Sequence, residues 1–196
     1  MRYANQRPLI ALNQFAFISV VALASLTVCN GAFAQTDAAG SRELPTWKIP
    51  NVPHSGEAYY GPDSVHVIAQ VQDPDAVRAD DKGEKYGNLT YTFTDRGADV
   101  RRINDKGQDG CSYFFPDGKH LIWTSTRDHP ELPVGSWNDA NNYPTGAELY
   151  VSDLKGGNIR RLTNNKVYDA EVSVSANGEW KVFGRQIDGK MDLWRM

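Results

Sequence analysis

Residues 109–125, DGCSYFFPDGKHLIWTS, decide the fold because the same pattern occurs three times along the chain without gaps. The other two copies are residues 55–71, SGEAYYGPDSVHVIAQV, and residues 169–185, DAEVSVSANGEWKVFGR. Each copy joins two runs rich in alternating, β-branched or aromatic residues through a short turn such as PDG at 116–118. This arrangement predicts a β-hairpin. A hairpin that recurs along the chain predicts a fold built by iteration.

The spacing of the copies predicts the size of the repeating unit. The turns that begin at Pro62, Pro116 and Ala176 lie 54 and 60 residues apart. A third strand is predicted after each hairpin, at 89–94, 149–153 and 193–196. The first two repeats have 10 and 16 more residues before this strand than the third repeat, and removing the excess leaves a common period of 44. A period of about 40–45 residues is typical of a four-stranded β-propeller blade.

A fourth strand is predicted twice, at 100–103 (VRRI) and 159–162 (IRRL), each after a glycine-containing turn. The sequence therefore predicts an all-β fold, a partial β-propeller of four-stranded antiparallel blades. The predicted blades are residues 55–108, residues 109–168 and an incomplete blade at 169–196. Because blades pack on both faces, we expect consecutive apolar residues such as Leu121, Ile122 and Trp123 to be buried.

Two strings within the second repeat, FPDGKHLIWTSTRD (115–128) and ELYVSDLKGGNIRRLT (148–163), resemble the blade repeat of TolB-like six-bladed β-propellers. The resemblance covers residues 55–196 and is weakest in the first repeat, where Gly61 and Ser64 depart from the motif. In the third repeat Lys181 takes the apolar place of Leu121. The resemblance implies the N-terminal portion, about 2.7 blades, of such a ring. The alternative is a short chain that completes the ring by self-association through its open blade edges.

Residues 1–34 are predicted to be a secretion signal, which implies a periplasmic protein. Arg2 and Arg7 precede the apolar run 15–28, and Ala-Phe-Ala at 32–34 has the small residues of a cleavage site. The alternatives are an uncleaved N-terminal anchor and lipid attachment at Cys29. Residues 35–54 are interpreted as a flexible leader with one short extended stretch at 47–49.

Charge and cysteine content argue against a nucleic-acid partner and against an intramolecular disulfide. Removing the signal, which contains two basic and no acidic residues, changes the net charge from −3 to −5. A nucleic acid or an anionic membrane surface is therefore not expected as a partner. No membrane span is predicted after signal removal. Cys111 is then the one remaining cysteine, so no intramolecular disulfide is expected, and we predict that Cys111 is a small buried residue.

Catalytic signatures are absent from the sequence. It contains no GxSxG, no HExxH, no paired-cysteine motif and no phosphate-binding glycine loop. We therefore predict no catalytic residue, no cofactor and no metal. His66 and His120 share one repeat position with Trp180, which favours a packing role, and His54 and His129 have no partner at ligand spacing.

The candidate binding face is the side of the blades on which both insertions emerge. Asp109 and Asp169 share one repeat position at this end, and the resemblance implies that they lie near the channel mouth. Their alternative role is to accept hydrogen bonds from loop backbone groups. The insertion 126–146 adds Arg127, Trp137 and Tyr143. Aromatic anchors among polar residues favour recognition of a protein or a glycan, and the alternative is that both rings fold back onto the blade.

The leading hypothesis is an exported, non-catalytic β-propeller that acts as a protein-interaction module in the periplasm or cell envelope. It rests on the TolB-like resemblance and on the missing catalytic motifs. One alternative is the N-terminal propeller of an exported peptidase or polysaccharide lyase whose catalytic residues lie beyond Met196. The other is a glycan-binding propeller that uses Trp137 and Tyr143.

Overall fold

The structure is a computed structural model that describes residues 44–52, 54–76 and 87–196. The predicted signal at 1–34, including Cys29, lies outside the described residues. All the elements below belong to the unit Thr46–Met196. The described ranges contain no long apolar helix that could cross a membrane.

The described residues form eleven strands in three antiparallel sheets. The first sheet, in the order β1-β2-β3-β4, contains Ser55–Tyr60, His66–Gln72, Asn88–Thr94 and Arg101–Arg102. The second, in the order β5-β6-β7-β8, contains Asp109–Phe114, His120–Ser125, Glu148–Asp153 and Arg160–Arg161. The third pairs β9, β10 and β11, which are Tyr168–Val174, Lys181–Ile187 and Lys190–Arg195. The predicted all-β fold class, with four-stranded antiparallel sheets, is confirmed. We call the three sheets blades 1, 2 and 3.

The strand bounds correct two details of the prediction. The fourth strands β4 and β8 have two residues each rather than the predicted four, because only these residues pair with the third strand. The last strand, β11, begins at Lys190 rather than at residue 193. Asp188 and Gly189 both have positive φ, 49° and 75°, so they form a two-residue hairpin turn that lets pairing begin at once.

Each innermost strand has an irregular register at the same repeat position, which the sequence did not predict. The pairing of β1 with β2, of β5 with β6 and of β9 with β10 shifts there. Glu57, Cys111 and Glu171 lie at this point with φ of 50°, 43° and 56°. A β-bulge of this kind bends the strand and changes the direction of a side chain.

The main core lies between neighbouring sheets, and blade 2 is buried on both of its faces. Leu121 and Trp123 pack with Ile68 of blade 1, whereas Ile122 packs with Phe183 of blade 3. Leu121, Ile122 and Trp123 are each 0% exposed, which confirms the expected burial of this apolar run. Burying one such side chain stabilises the fold by roughly 1.5–3 kcal/mol. The contacts between blades therefore hold the repeats together.

The residues that precede β1 were predicted to include a short extended stretch at 47–49. The chain has no strand there, and a turn follows at Pro50 and Asn51. Trp47 is exposed, while Ile49 packs against the cluster of blade 1 that contains Val52. Asn51 Nδ2 donates a hydrogen bond of 3.0 Å to Gly97 O. Apolar burial and this hydrogen bond, rather than strand pairing, hold the segment on blade 1.

Lys181, the residue that departs from the apolar pattern, is half-buried rather than fully exposed. Its Nζ donates to the carbonyl oxygens of Gly178 and Glu179, at 3.1 and 3.2 Å. The ammonium group also lies 5.3 Å from the centre of the Phe115 ring. The apolar stem of a lysine packs while its charged end reaches polar groups, so the blade accommodates a lysine where blade 2 has a leucine.

Candidate functional site

The inner strands of the three blades meet at the end of the sheets that bears the insertion 126–146. Asp109 at the start of β5 pairs with Ser125 at the end of β6, and Asp169 of β9 pairs with Arg185 of β10. The insertion follows Ser125 directly. A cavity of about 390 Å³ opens here between β1, β5 and β9, and we call it the inner cavity.

A second, wider cleft lies at the opposite ends of the strands. It measures about 880 Å³ and is lined by the turns at Asp117 and Asn177 and by Met196. None of the residues that the sequence singled out for binding lines this cleft. The inner cavity, by contrast, is lined by Asp109 and Trp137. The chemistry of a candidate site is therefore concentrated in the inner cavity.

Asp109 lies in the wall of the inner cavity and is 1% exposed. Its Oδ2 accepts a hydrogen bond of 2.7 Å from Thr90 N, and its Oδ1 accepts one of 2.7 Å from Asn104 Nδ2. Burial raises the pKa of this carboxyl to about 6, although hydrogen bonds from Ser125, Thr90 and Asn104 oppose the shift. These bonds join the end of blade 1 to the beginning of blade 2.

Asp169 has the same repeat position but a different set of partners. It is fully buried and accepts two hydrogen bonds from Arg185, from Nε at 2.6 Å and from Nη2 at 2.7 Å. Asn165 Nδ2 donates a third at 2.9 Å. The hydrogen bond to Asp169 raises the pKa of Arg185. A buried charge needs such a partner, so this ion pair fixes the start of blade 3.

Arg127, at the beginning of the insertion, is also used within the fold. Its Nη1 donates a hydrogen bond of 2.7 Å to Asn104 Oδ1, and its guanidinium lies 5.8 Å from the centre of the Tyr150 ring. Asp105 Oδ1 is 3.8 Å from Arg127 Nη2. Arg127 therefore joins the insertion to the loop between blades 1 and 2.

The two aromatic residues of the insertion fold back onto the inner strands. Tyr143 stacks on Tyr168, with ring centres 4.4 Å apart and an interplanar angle of 10°. The Trp137 ring lies 5.9 Å from that of Tyr168, and its Nε1 donates to Gln108 Oε1 at 3.1 Å. Trp137 also covers Gly110, where an added Cβ would come within 2.7 Å of the indole. Trp137 thus forms part of the wall of the inner cavity.

The inner cavity is also lined by acidic and amide side chains that were not among the candidates from sequence, including Glu57, Gln70 and Glu171. Glu57 Oε2 accepts a hydrogen bond of 2.9 Å from Cys111 N, and Tyr168 Oη donates to Glu171 Oε1 at 3.4 Å. Gln70 Nε2 donates to Ser112 Oγ at 2.8 Å. The repeat alignment contains the signal for two of them, because Glu57 and Glu171 share one position with Cys111.

The two carboxyl groups act on their buried neighbours through charge. Burial is the main cause of the raised pKa of the Cys111 thiol, and the negative charges of Glu57 and Glu171 raise this pKa further. The pKa of Tyr168 is also raised, mainly by burial, with a contribution from the same acidic side chains. Cys111 is 7% exposed and is a free cysteine, which confirms that it is a small buried residue. A thiol with a raised pKa remains protonated at neutral pH.

Three of the four histidines have a local carboxylate neighbour. His66 Nδ1 lies 2.6 Å from Asp63 Oδ2, and His120 Nδ1 lies 2.6 Å from Asp117 Oδ2, so both follow the hairpin turn of their blade. In the insertion, His129 lies beside Glu131 and the buried Glu148. No set of three potential metal ligands is grouped together in the part of the chain that the structure describes.

Solved structures resemble this chain in fold. No protein-family model matches the sequence, and no curated protein matches it. The crystal structure of TolB from Acinetobacter baumannii has a TM-score of 0.51 and 20% identity, covering 72% of this chain and 29% of that one. A protein assigned as TolB from Agrobacterium tumefaciens has a TM-score of 0.50 and 19% identity, covering 73% of this chain and 45% of that one.

The chain therefore spans less than half the length of either TolB protein. Antiparallel four-stranded sheets, with inner strands gathered around one cavity, are the architecture expected of part of a propeller ring. The chain has the fold of a TolB-like β-propeller, over part of the ring.

Proposed function

We propose that this chain belongs to an exported, non-catalytic propeller that binds another protein through its insertion-bearing face. The observation that carries the proposal is the inner cavity of about 390 Å³, with exposed carboxylates and a tryptophan beside the insertion 126–146. Open cavities with aromatic walls and a few polar groups suit recognition of a partner's side chains.

The state of the groups around the inner cavity supports binding rather than covalent chemistry. Cys111 has a raised pKa, which leaves it without the thiolate that a nucleophile needs. Both carboxylate oxygens of Asp109 already accept hydrogen bonds of 2.7 Å, from Thr90 N and Asn104 Nδ2. Asp169 is committed to Arg185. Asp109 thus helps to hold the cavity wall in shape, and Glu57 and Glu171 in the same wall remain accessible for contact.

The proposed location is the periplasm or cell envelope. Its support is the sequence of residues 1–34, which has the charged start, the apolar run and the small residues of a secretion signal. The fold shared with TolB structures is consistent with this location. A fusion of residues 1–40 to a reporter that is active only after export tests the proposal, and no reporter activity would contradict it.

Site-specific photocrosslinking in producing cells tests the binding face. A photoreactive amino acid at Asn141, an exposed residue of the insertion, is expected to form a discrete adduct with an envelope protein. The same amino acid at Lys119, an exposed residue beside the hairpin turn at the opposite ends of the strands, is the matched control. Equal adducts at both positions, or none at Asn141, would contradict the proposed face.

Glycan binding is a second candidate because Trp137 lines the inner cavity. One face of its indole is occupied by Gly110, and Tyr143 is stacked on Tyr168, so the two rings do not form a free platform. Glycan-array binding that disappears in a Trp137→Ala and Tyr143→Ala double variant would favour this candidate. Unchanged binding by the variant would eliminate it.

A further inference from the structure

Glu57 and Glu171 give the inner cavity two accessible negative groups. Both residues are exposed and both line the cavity, on either side of Cys111 in the row of bulge positions. Glu57 uses one oxygen to accept the Cys111 N–H, and Glu171 Oε1 accepts from the Tyr168 hydroxyl at 3.4 Å. A carboxylate has about four lone-pair sites, so each can accept further hydrogen bonds.

Gln70 provides independent evidence that a ligand of the inner cavity brings a hydrogen-bond donor. It lines the cavity, is 4% exposed and donates through Nε2 to Ser112. Its Oε1 is buried and has no hydrogen-bond partner among the residues that the structure describes. Leaving a buried acceptor without a partner is unfavourable, so this oxygen is suited to a ligand that brings an N–H group.

The aromatic wall favours a donor that is also a cation. Trp137 lines the inner cavity and is partly exposed, and an aromatic ring attracts guanidinium and ammonium groups. The chain itself uses this combination elsewhere. Arg185 pairs with Asp169 while its guanidinium lies 4.8 Å from the centre of the Trp194 ring and 5.3 Å from that of Phe183.

We propose that the inner cavity binds the guanidinium group of an arginine side chain supplied by the partner protein. Glu57 and Glu171 accept from the guanidinium, and Gln70 Oε1 accepts a further N–H. A planar guanidinium has five donors and stacks on aromatic rings, which matches three acceptors beside Trp137 better than the compact ammonium of lysine does. The inference rests on the proposed function, since the arginine belongs to the protein that the face binds.

Calorimetric titration of the full chain with short peptides tests this inference. The probe is acetyl-Gly-Arg-Gly-amide, and the matched control has citrulline, which keeps the shape but removes the charge. We expect the citrulline peptide to bind at least about tenfold more weakly, and Glu171→Gln to weaken the arginine peptide by about tenfold. Glu179→Gln, which removes an exposed carboxylate at the opposite ends of the strands, is expected to leave binding unchanged.

Three outcomes would overturn the inference. They are equal affinity for the arginine and citrulline peptides, no effect of Glu171→Gln, and tighter binding of free spermidine than of the arginine peptide. The last result would assign the cavity to a small organic cation instead of a partner's side chain. A crosslinked adduct at Asn141 without arginine binding would defeat this inference alone, whereas arginine binding without an adduct would defeat the proposed partner.

Discussion

Blades 2 and 3 have the same hairpin sequence pattern, but their third strands, β7 and β11, differ sharply in exposure. In blade 2 the strands β6 and β7 are almost fully buried, and Leu149 of β7 is 0% exposed. In blade 3 all six residues of β11 are exposed, and Leu193, the equivalent of Leu149, is 80% exposed. Blade 2 has a neighbouring sheet on each face, whereas the described residues cover one face of blade 3. The repeat thus encodes the strands, and the neighbours determine the burial.

The largest loss of stability should come from replacing Asp169, and the smaller loss from replacing Asp109, its equivalent in the repeat, is the comparison. Asp169→Asn removes the charge that compensates Arg185 in a buried pair, so we expect a loss of about 3–5 kcal/mol of unfolding free energy. Asp109→Asn should have a much smaller effect at pH 7, because among the described residues Asp109 pairs with Thr90 and Asn104 and with no arginine. Urea unfolding of both variants beside the parent measures the difference. Equal losses would show that the ion pair does not distinguish the blades.

The second comparison uses the same substitution at equivalent positions of β7 and β11. Leu149→Ala should destabilise the chain by about 2–5 kcal/mol, because it removes a fully buried side chain and leaves a cavity. Leu193→Ala should change stability by less than about 0.5 kcal/mol, because the side chain is mostly exposed. Denaturation midpoints at one protein concentration give both values. A large loss for Leu193→Ala would mean that another surface covers β11.

The sequence was sufficient to predict the hairpins and the antiparallel four-stranded sheets, because each depends on local pattern and on counting. Leu121, Ile122 and Trp123 are buried as expected. The bulges at Glu57, Cys111 and Glu171 were not predicted, because a bulge depends on pairing between strands. For the same reason, nothing in the sequence pointed to the cavity that these residues line, except that the three residues share one position in the repeat alignment.

The partners of the candidate residues were equally hard to predict from sequence. Asp169 binds Arg185, which is 16 residues away in sequence but opposite in register. Trp137 lies against Gly110 because the glycine leaves room for an indole. Such contacts depend on which loops meet in space, and the spacing of residues along the chain does not contain that information.

A pH titration of stability should reveal the burial of Asp109 at the start of blade 2. Asp109 has its pKa raised from 3.8 to about 6 in the folded chain, so the folded state holds its proton more tightly than the unfolded state does. Its contribution to stability is then fully present below about pH 4 and is lost as pH rises through 6. A shift of two pKa units corresponds to about 3 kcal/mol of unfolding free energy.

The measurement is the unfolding free energy of the parent and of Asp109→Asn between pH 4 and 6.5. We expect the parent to lose stability relative to the variant across this window. Asp63, whose pKa is lowered to about 2, contributes with the opposite sign, mainly below pH 4, and does so equally in both proteins. Parallel curves for the two proteins would show that Asp109 has no raised pKa.

The smallest effect concerns the position at which blade 3 has Lys181 and blade 2 has Leu121. Lys181→Leu adds apolar burial but removes two hydrogen bonds to the carbonyl groups of Gly178 and Glu179 and the contact with Phe115. These terms oppose each other, so we expect a change of less than about 1 kcal/mol. Lys119→Leu, at an exposed site beside the equivalent turn of blade 2, is the control for unfolded-state effects. A clear gain of stability for Lys181→Leu alone would mean that this position is a regular core site, and that the contrast between the two blades begins only beyond it, at β11.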